Sequence, residues 1–134
     1  MKNISIIWTP DLEVGIKEID DQHRQLFSLL AAFYTNLQKG AGREIIAKML
    51  EDLMTHAGAH FKLEESFLQA HPDLIRHHQL HYDFIKQMGQ FERDYLQGDI
   101  SLAVDIVTFV IDWLHEHIVG IDKQYFLDLQ KAGE

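Results

Sequence analysis

Four segments of the chain carry apolar residues at alternating spacings of four and three, a pattern typical of helices that bury one face. Strand-like alternation of any length is absent from the sequence. The four stripes, with the polar residues that stand at some of their positions, consist of Ile19, His23, Leu26, Leu30, Phe33 and Leu37; Met49, Leu53, His56, His60 and Glu64; His77, His81, Phe84, Met88, Phe91 and Tyr95; and Ile106, Val110, Trp113 and His117. Because the connections between the stripes are short, we predict an all-α fold, an up-down-up-down antiparallel four-helix bundle.

Capping residues and helix breakers place the ends of the predicted helices. The candidate N-terminal caps are Asp20 or Asp21 in the first helix, Asp73 in the third, and Asp99 or Ser101 in the fourth. The second helix is predicted from about Arg43 to about Gln69, the third helix to about Leu96 and the fourth to about Leu129. The breakers beyond the helix ends are Gly40, Gly42, Pro72 and Gly98.

Residues 1–18 lack a helical stripe and are predicted to form an extended N-terminal arm on the bundle of residues 19–131. Residues 1–134 together are expected to make a single domain, since a chain of this length can bury one substantial core. The apolar run before Pro10 is too short for a signal peptide, and no run approaches the ~20 apolar residues that span a bilayer. We therefore expect a cytoplasmic protein without membrane insertion.

Composition and charge limit which metal ligands and which partners the chain can have. The chain has no cysteine, which excludes disulfides and thiolate metal sites. Its net charge of −9, with histidine neutral, argues against nucleic acid as a partner. Any bound metal must therefore be held by nitrogen and oxygen ligands.

Histidines and carboxylates occupy stripe positions where a bundle helix normally has leucine. Unpaired buried imidazoles and carboxylates are costly, so their presence in a core needs a cause. These residues are His23 near the start of the first helix, His60 and Glu64 late in the second, His77 and His81 near the start of the third, and His117 late in the fourth. An antiparallel bundle brings all these places to one end, and a metal site is the simplest explanation.

The fourth helix needs a local irregularity if it is to contribute two ligands. His117 and Asp122 are five residues apart, roughly 140° around a regular helix of 3.6 residues per turn. Both side chains can face the core only where the helix is widened. Since Gly120 lies between them, we predict a π-type bulge or a break at this point.

Spacing leaves one candidate ligand ambiguous. His56 lies four residues before His60 on the same helix face, so spacing alone does not decide which of the two binds a metal. The other histidines are expected at the surface: His71 in a solvated loop, and His78 and His115 off the inward stripes.

Several motifs carry a resemblance to a known family. They are Trp8 ahead of Val14-Gly15-Ile16, then Ile19-Asp20-Asp21-Gln22-His23, His60-Phe61-Lys62-Leu63-Glu64-Glu65, His77-x3-His81 and His117-Ile118-Val119-Gly120-Ile121-Asp122-Lys123. In this order and at these separations, over nearly the whole chain, they resemble the hemerythrin family. The closing motif is most similar to the bacterial members, the bacteriohemerythrins.

The resemblance implies a non-heme di-iron centre with two iron ions and an oxo or hydroxo bridge. The implied ligands are His77, His81 and His117 on one iron, His23 and His60 on the other, and Glu64 and Asp122 as bridges. With these ligands, the iron at the two-histidine side keeps one vacant position. The resemblance also selects His60 over His56, and a core position or a hydrogen bond to a ligand is then expected for His56.

The function that the resemblance implies is reversible O2 binding, as an oxygen carrier, store or delivery protein, and not an enzyme. Its expected partners are O2 and an O2-consuming enzyme or a reductase. Ferritin-like di-iron enzymes use Glu-x-x-His motifs, and this sequence contains none. The alternatives are an O2 or redox sensor module and a di-iron enzyme that reduces peroxide or nitric oxide.

Two residues of the fourth helix are expected to line the O2 pocket. Trp113 lies one turn before His117 and is predicted to border the iron site. Gly120 lies three residues after His117, where invertebrate oxygen carriers have a bulky aliphatic residue. We expect this glycine to leave the pocket more open to water.

Overall fold

The computed structural model of the chain describes residues 6–98 and 102–132. Its helices are α1 (Lys17–Gln38), α2 (Arg43–Phe67), α3 (Leu74–Leu96), α4 (Leu102–His117) and α5 (Lys123–Ala132), with a π-helical turn over Ile118–Asp122 and a 3-10 turn over Pro10–Leu12. The segment α4, the π-helical turn and α5 follow one another without a break and form one long fourth helix. The predicted caps Asp99 and Ser101 lie outside the described residues.

The helices form the predicted four-helix bundle. Helix α1 packs against α2 and α4, and α3 likewise packs against α2 and α4. Each helix therefore lies beside its neighbours in the chain, as short connections require of an antiparallel bundle. No helix among residues 6–98 and 102–132 is long and apolar enough to cross a membrane.

The predicted stripes face the core, with one shift in phase in α2. In that helix the buried apolar positions are Ile46, Leu50, Leu53, Ala57 and Phe61. Met49 is half-buried and His56 is exposed, so the expected core position of His56 is wrong. Successive side chains on a helix point in directions about 100° apart. Because Leu53 and Ala57 point inward, His56, which directly precedes Ala57, points away from the core.

The start of α1 also differs from the prediction. The helix begins at Lys17, ahead of both predicted caps, and its capping position is Ile16, which makes no side-chain capping bond. Asp20 instead lies inside the first turns and is buried. Its carboxylate accepts hydrogen bonds from the backbone N–H groups of Val14 (2.8 Å) and Gly15 (3.2 Å). The aspartate therefore holds the arm against the bundle.

The N-terminal arm is fixed at several points and includes one 3-10 turn, so it is not fully extended. Leu12 and Val14 are buried in the core. The ring of Trp8 packs edge-on against Phe27, with ring centroids 5.5 Å apart. The ammonium group of Lys123 donates a hydrogen bond to the backbone carbonyl of Asp11 (3.1 Å), which ties the arm to the fourth helix just after the π-helical turn.

The loop between α2 and α3 is tied to α5 by His71. The sequence predicted a solvated histidine, but its side chain is only 7% exposed. The imidazole stacks on Tyr125 at 4.4 Å, and its Nε2 lies 3.3 Å from a carboxylate oxygen of Asp128. The prediction is wrong because both partners lie more than fifty residues later in the chain, beyond the reach of local sequence patterns.

Asp20→Ala should lower the free energy of unfolding by about 2 kcal/mol, since burying an unsatisfied N–H group costs ~1–3 kcal/mol. The control is Asp21→Ala, which removes a neighbouring aspartate from an exposed ion pair with Arg24 and should change the stability by about 0.5 kcal/mol or less. Urea denaturation measures both variants. Equal losses would contradict the anchoring role of Asp20.

Candidate metal centre

Seven polar side chains converge in the core at one end of the bundle. All are buried, with exposed fractions between 0% and 4%. They are His23 from α1, His60 and Glu64 from α2, His77 and His81 from α3, His117 from α4 and Asp122 from the π-helical turn. These are the residues that the sequence predicted to meet, and the antiparallel topology brings them together as expected.

The carboxylate of Glu64 lies between two groups of histidines. Its Oε1 is 2.8 Å from Nε2 of His23 and 2.7 Å from Nε2 of His60. Its Oε2 is 3.0 Å from Nε2 of His81 and 3.4 Å from Nε2 of His77. Each oxygen of this single side chain therefore faces a different group.

Asp122 divides its oxygens in the same way. Its Oδ1 is 3.0 Å from Nε2 of both His77 and His117, and its Oδ2 is 3.5 Å from Nε2 of His23. The nitrogens of His81 and His117 lie 3.0 Å apart. The centre thus has a three-histidine group and a two-histidine group, and both carboxylates reach both groups.

Two sets of these side chains are arranged compactly enough to hold a metal ion. Within each set, one ligand atom per residue lies within 4.8 Å of all the others. The sets are Glu64, His77, His81, His117 and Asp122, and His23, His60 and Glu64. Glu64 belongs to both, which is the arrangement expected of a residue that bridges two ions.

The π-helical turn is what brings Asp122 into the centre. The backbone N–H of Lys123 donates to the carbonyl of Ile118, five residues earlier, which is the hydrogen bond of a π-helix. Because of the wider turn, His117 and Asp122 face the core together and their side chains approach to 3.0 Å. The predicted irregularity of the fourth helix is confirmed.

The donor set fits a divalent transition metal. Both carboxylate oxygens of Asp122 and the Nδ1 atoms of His23 and His77 are buried without a hydrogen-bond partner among the residues that the structure describes. Oδ1 of Asp122 lies 3.0 Å from imidazole nitrogens and Oδ2 lies 3.5 Å from one, yet neither oxygen has the geometry of a hydrogen bond. Such nitrogen and oxygen ligands converging without sulfur suit iron and related ions.

The two buried carboxylates call for compensating positive charge, and they change the pKa values of the imidazoles around them. Burial disfavours charged His23, but close contacts with Asp122 and Glu64 outweigh burial and raise its pKa to about 9. The same balance raises the pKa of His77 to about 9. Burial also acts against charged Glu64, yet His60 and the other imidazoles hold its pKa well below its ordinary value. Protons or metal ions can supply the compensating charge.

Aromatic rings wall the three-histidine group. Phe61 stacks on His81 at 4.0 Å, and Trp113 stacks on His117 at 4.3 Å. On the two-histidine side, the centroid of Trp8 lies 6.4 Å from that of His23. Trp113 thus borders the centre, but on the side opposite the predicted vacant position, and its part in an O2 pocket stays a prediction.

The predicted position of Gly120 in the pocket is wrong. Gly120 and Val119 form the exposed side of the π-helical turn, whereas Ile118 and Asp122 form its buried side. A side-chain carbon built at Gly120 would meet no heavy atom within 4 Å. The glycine therefore neither lines nor opens the centre. His78 and His115 are exposed, as predicted.

Three residues near the centre were not predicted from the sequence. Gln22 and Glu65 contact the outer nitrogens of candidate ligands, and Tyr125 packs against His77 with ring centroids 4.9 Å apart. Gln22 and Glu65 directly adjoin His23 and Glu64 in the chain, so their positions beside ligand motifs were a usable signal. No comparable signal marks Tyr125.

Known proteins are similar to this sequence over most of its length. Residues 14–128 match the family described as the hemerythrin HHE cation binding domain. Bacteriohemerythrin of Clostridium acetobutylicum is 31% identical over 127 residues, which cover 89% of this chain and 97% of that protein. Bacteriohemerythrin of Stenotrophomonas maltophilia is 29% identical, covering 90% of this chain and 78% of that protein. Myohemerythrin-1 of Phascolopsis gouldii is 27% identical, covering 89% and 90%.

Metal binding should stabilise the fold, since the buried ligands converge in the folded chain and separate on unfolding. At a free metal concentration of one hundred times Kd, one bound ion adds about 2.7 kcal/mol to the free energy of unfolding. Thermal melting with Fe2+ under argon, with Zn2+, and with a chelator measures the effect. An identical melting temperature in all three conditions would contradict a metal centre.

Gly120→Ala should raise the stability by about 0.5–1 kcal/mol, because glycine is unfavourable inside a helix and the added methyl group meets open space. The metal content should stay the same, since the residue faces away from the ligands. Chemical denaturation and metal analysis test both points. A lower metal content in this variant would show that Gly120 does contribute to the metal centre.

Proposed function

This chain belongs to the hemerythrin family, and on that premise we propose that it binds O2 reversibly at a non-heme di-iron centre, as an oxygen carrier, store or delivery protein. The buried cluster of five imidazoles and two carboxylates supports iron as the cofactor. Reversible O2 binding is the activity that the resemblance to the family implies.

The proposed ligands are the seven converging side chains. His77, His81 and His117 would hold one iron, and His23 and His60 would hold the other. Glu64 and Asp122 would bridge the two ions. The observation that carries this assignment is the division of oxygens: Glu64 turns Oε1 to His23 and His60 and Oε2 to His77 and His81, and Asp122 repeats the division.

The side chains leave one half of the centre with fewer ligands. The three-histidine side offers three imidazole nitrogens and one oxygen from each carboxylate, whereas the two-histidine side offers one nitrogen less. When bound, the iron pair supplies the electrons that hold O2 reversibly. We place the O2 position at His23 and His60, the side with fewer protein ligands.

The site lies among buried residues. The ligand side chains are at most 4% exposed, and water is therefore largely excluded from them. Leu26 and Phe27, about one helical turn after His23, and Ile118, which directly follows His117, are also buried. An apolar enclosure of this kind admits a small uncharged molecule more readily than an ion.

The test adds O2 to the reduced, iron-loaded protein and records the visible spectrum. Reversible binding predicts an absorption band that appears with O2, disappears under argon and returns over repeated cycles. Irreversible conversion to the diferric state with turnover of added reductant would instead support an enzyme. A metal analysis giving one zinc ion per chain would contradict the di-iron proposal.

His60→Gln and His56→Gln form a matched pair for this experiment. The two histidines lie one turn apart in α2, but His60 is buried in the centre and His56 is exposed. We expect His60→Gln to lose iron and the O2-dependent band, and His56→Gln to keep both. The opposite result would mean that His56, and not His60, is the metal ligand.

A further inference from the structure

The outer nitrogens of two candidate ligands contact groups of different charge. Nδ1 of His60 lies 2.8 Å from the side-chain oxygen of Gln22, a neutral amide. Nδ1 of His81 lies 3.4 Å from Oε2 of Glu65, a carboxylate. His60 belongs to the two-histidine group and His81 to the three-histidine group, so each half of the centre contains a ligand with such a partner.

Glu65 is held in place from both sides. Its second oxygen, Oε1, pairs with Nδ1 of His78 on the outer face of α3. The side chain of Glu65 is 19% exposed, whereas that of His78 is 64% exposed. The stacked ring of Phe61 fixes the plane of His81. The carboxylate of Glu65 therefore lies between the solvent and the centre with limited freedom to rotate.

Imidazole ligands respond to the partner of their outer nitrogen. When Nε2 binds a metal, the proton remains on Nδ1 and is donated to that partner, which fixes the ring and sets its basicity. A carboxylate accepts this proton more strongly than an amide does, because hydrogen bonds to charged groups are roughly twice as strong as neutral ones. Glu65 should therefore make His81 a stronger donor than Gln22 makes His60.

We propose that Glu65 and Gln22 are positioning residues for His81 and His60, and that their difference in charge makes the two halves of the metal centre electronically unequal. The anionic partner lies on the three-histidine side and favours the more oxidised state there. The neutral partner lies on the two-histidine side, where the proposed function puts the O2 position. The inference rests on one part of the proposed function, the redox-active pair of metal ions. It does not require that the pair binds O2.

The first test measures Zn2+ affinity of the metal-free protein against a competing chelator. Glu65→Gln keeps the size of the side chain and removes its charge, and should weaken the binding of one of two ions by about 10- to 100-fold. The control is Glu51→Gln, the same change at an exposed position of α2, which should leave both affinities unchanged. Equal affinities in the two variants would overturn the proposal.

The second test measures the reduction potential of the iron-loaded protein. Glu65→Gln removes a negative charge and should raise the potential, whereas Gln22→Glu adds one and should lower it. A loss of packing cannot produce shifts of opposite sign from these two changes. Shifts in the same direction, or no shift in either variant, would overturn the electronic role.

The outcomes separate this inference from the proposed function. If the zinc affinities and potentials change as expected but the reduced wild-type protein shows no reversible O2 band, the inference stands and the O2 proposal fails. If the wild-type protein binds O2 reversibly while Glu65→Gln resembles Glu51→Gln in the zinc titration, the proposed function stands and the inference fails. Melting curves of the metal-free variants establish that each is folded.

Discussion

A single buried carboxylate organises this molecule. Glu64 is fully buried, and its two oxygens contact imidazoles from α1, α2 and α3. A buried carboxylate without compensating positive charge would destabilise the fold, so the three helices must present their histidines at the same level of the core. That requirement fixes the register of the helices at this end of the bundle.

The same requirement explains the irregular fourth helix and the arm. A regular helix would turn Asp122 away from His117, and the π-helical turn corrects this at the expense of regular hydrogen bonding. The residue after the turn, Lys123, then holds the arm by the carbonyl of Asp11. Buried Asp20 holds the arm at a second place, three residues before His23 in the chain. The two contacts connect the arm to the helices that carry His23 and Asp122.

The proposed function depends on an asymmetry within this cluster. Both carboxylates reach both histidine groups, yet one group has three imidazoles and the other two. The proposed O2 position and the proposed difference between Glu65 and Gln22 both depend on that unequal division. The aromatic packing around the two groups also differs. Phe61 and Trp113 stack on His81 and His117 of the three-histidine group, whereas Trp8 from the arm lies near His23 of the two-histidine group.

The sequence by itself determined the four helices and the irregularity between His117 and Asp122, because helical periodicity and a five-residue spacing that a regular helix cannot accommodate are local properties. The order of its motifs, through the resemblance to the family, supplied the candidate ligands and the choice of His60 over His56. It did not determine the direction of His56 or Gly120, since periodicity defines a face only to within one residue and the neighbouring helices decide which side is buried. Nor did it assign Asp20 to the arm, His71 to Asp128 or Glu65 to His81. Those contacts join atoms from separate segments, and only the packing of the folded chain brings them within hydrogen-bond distance.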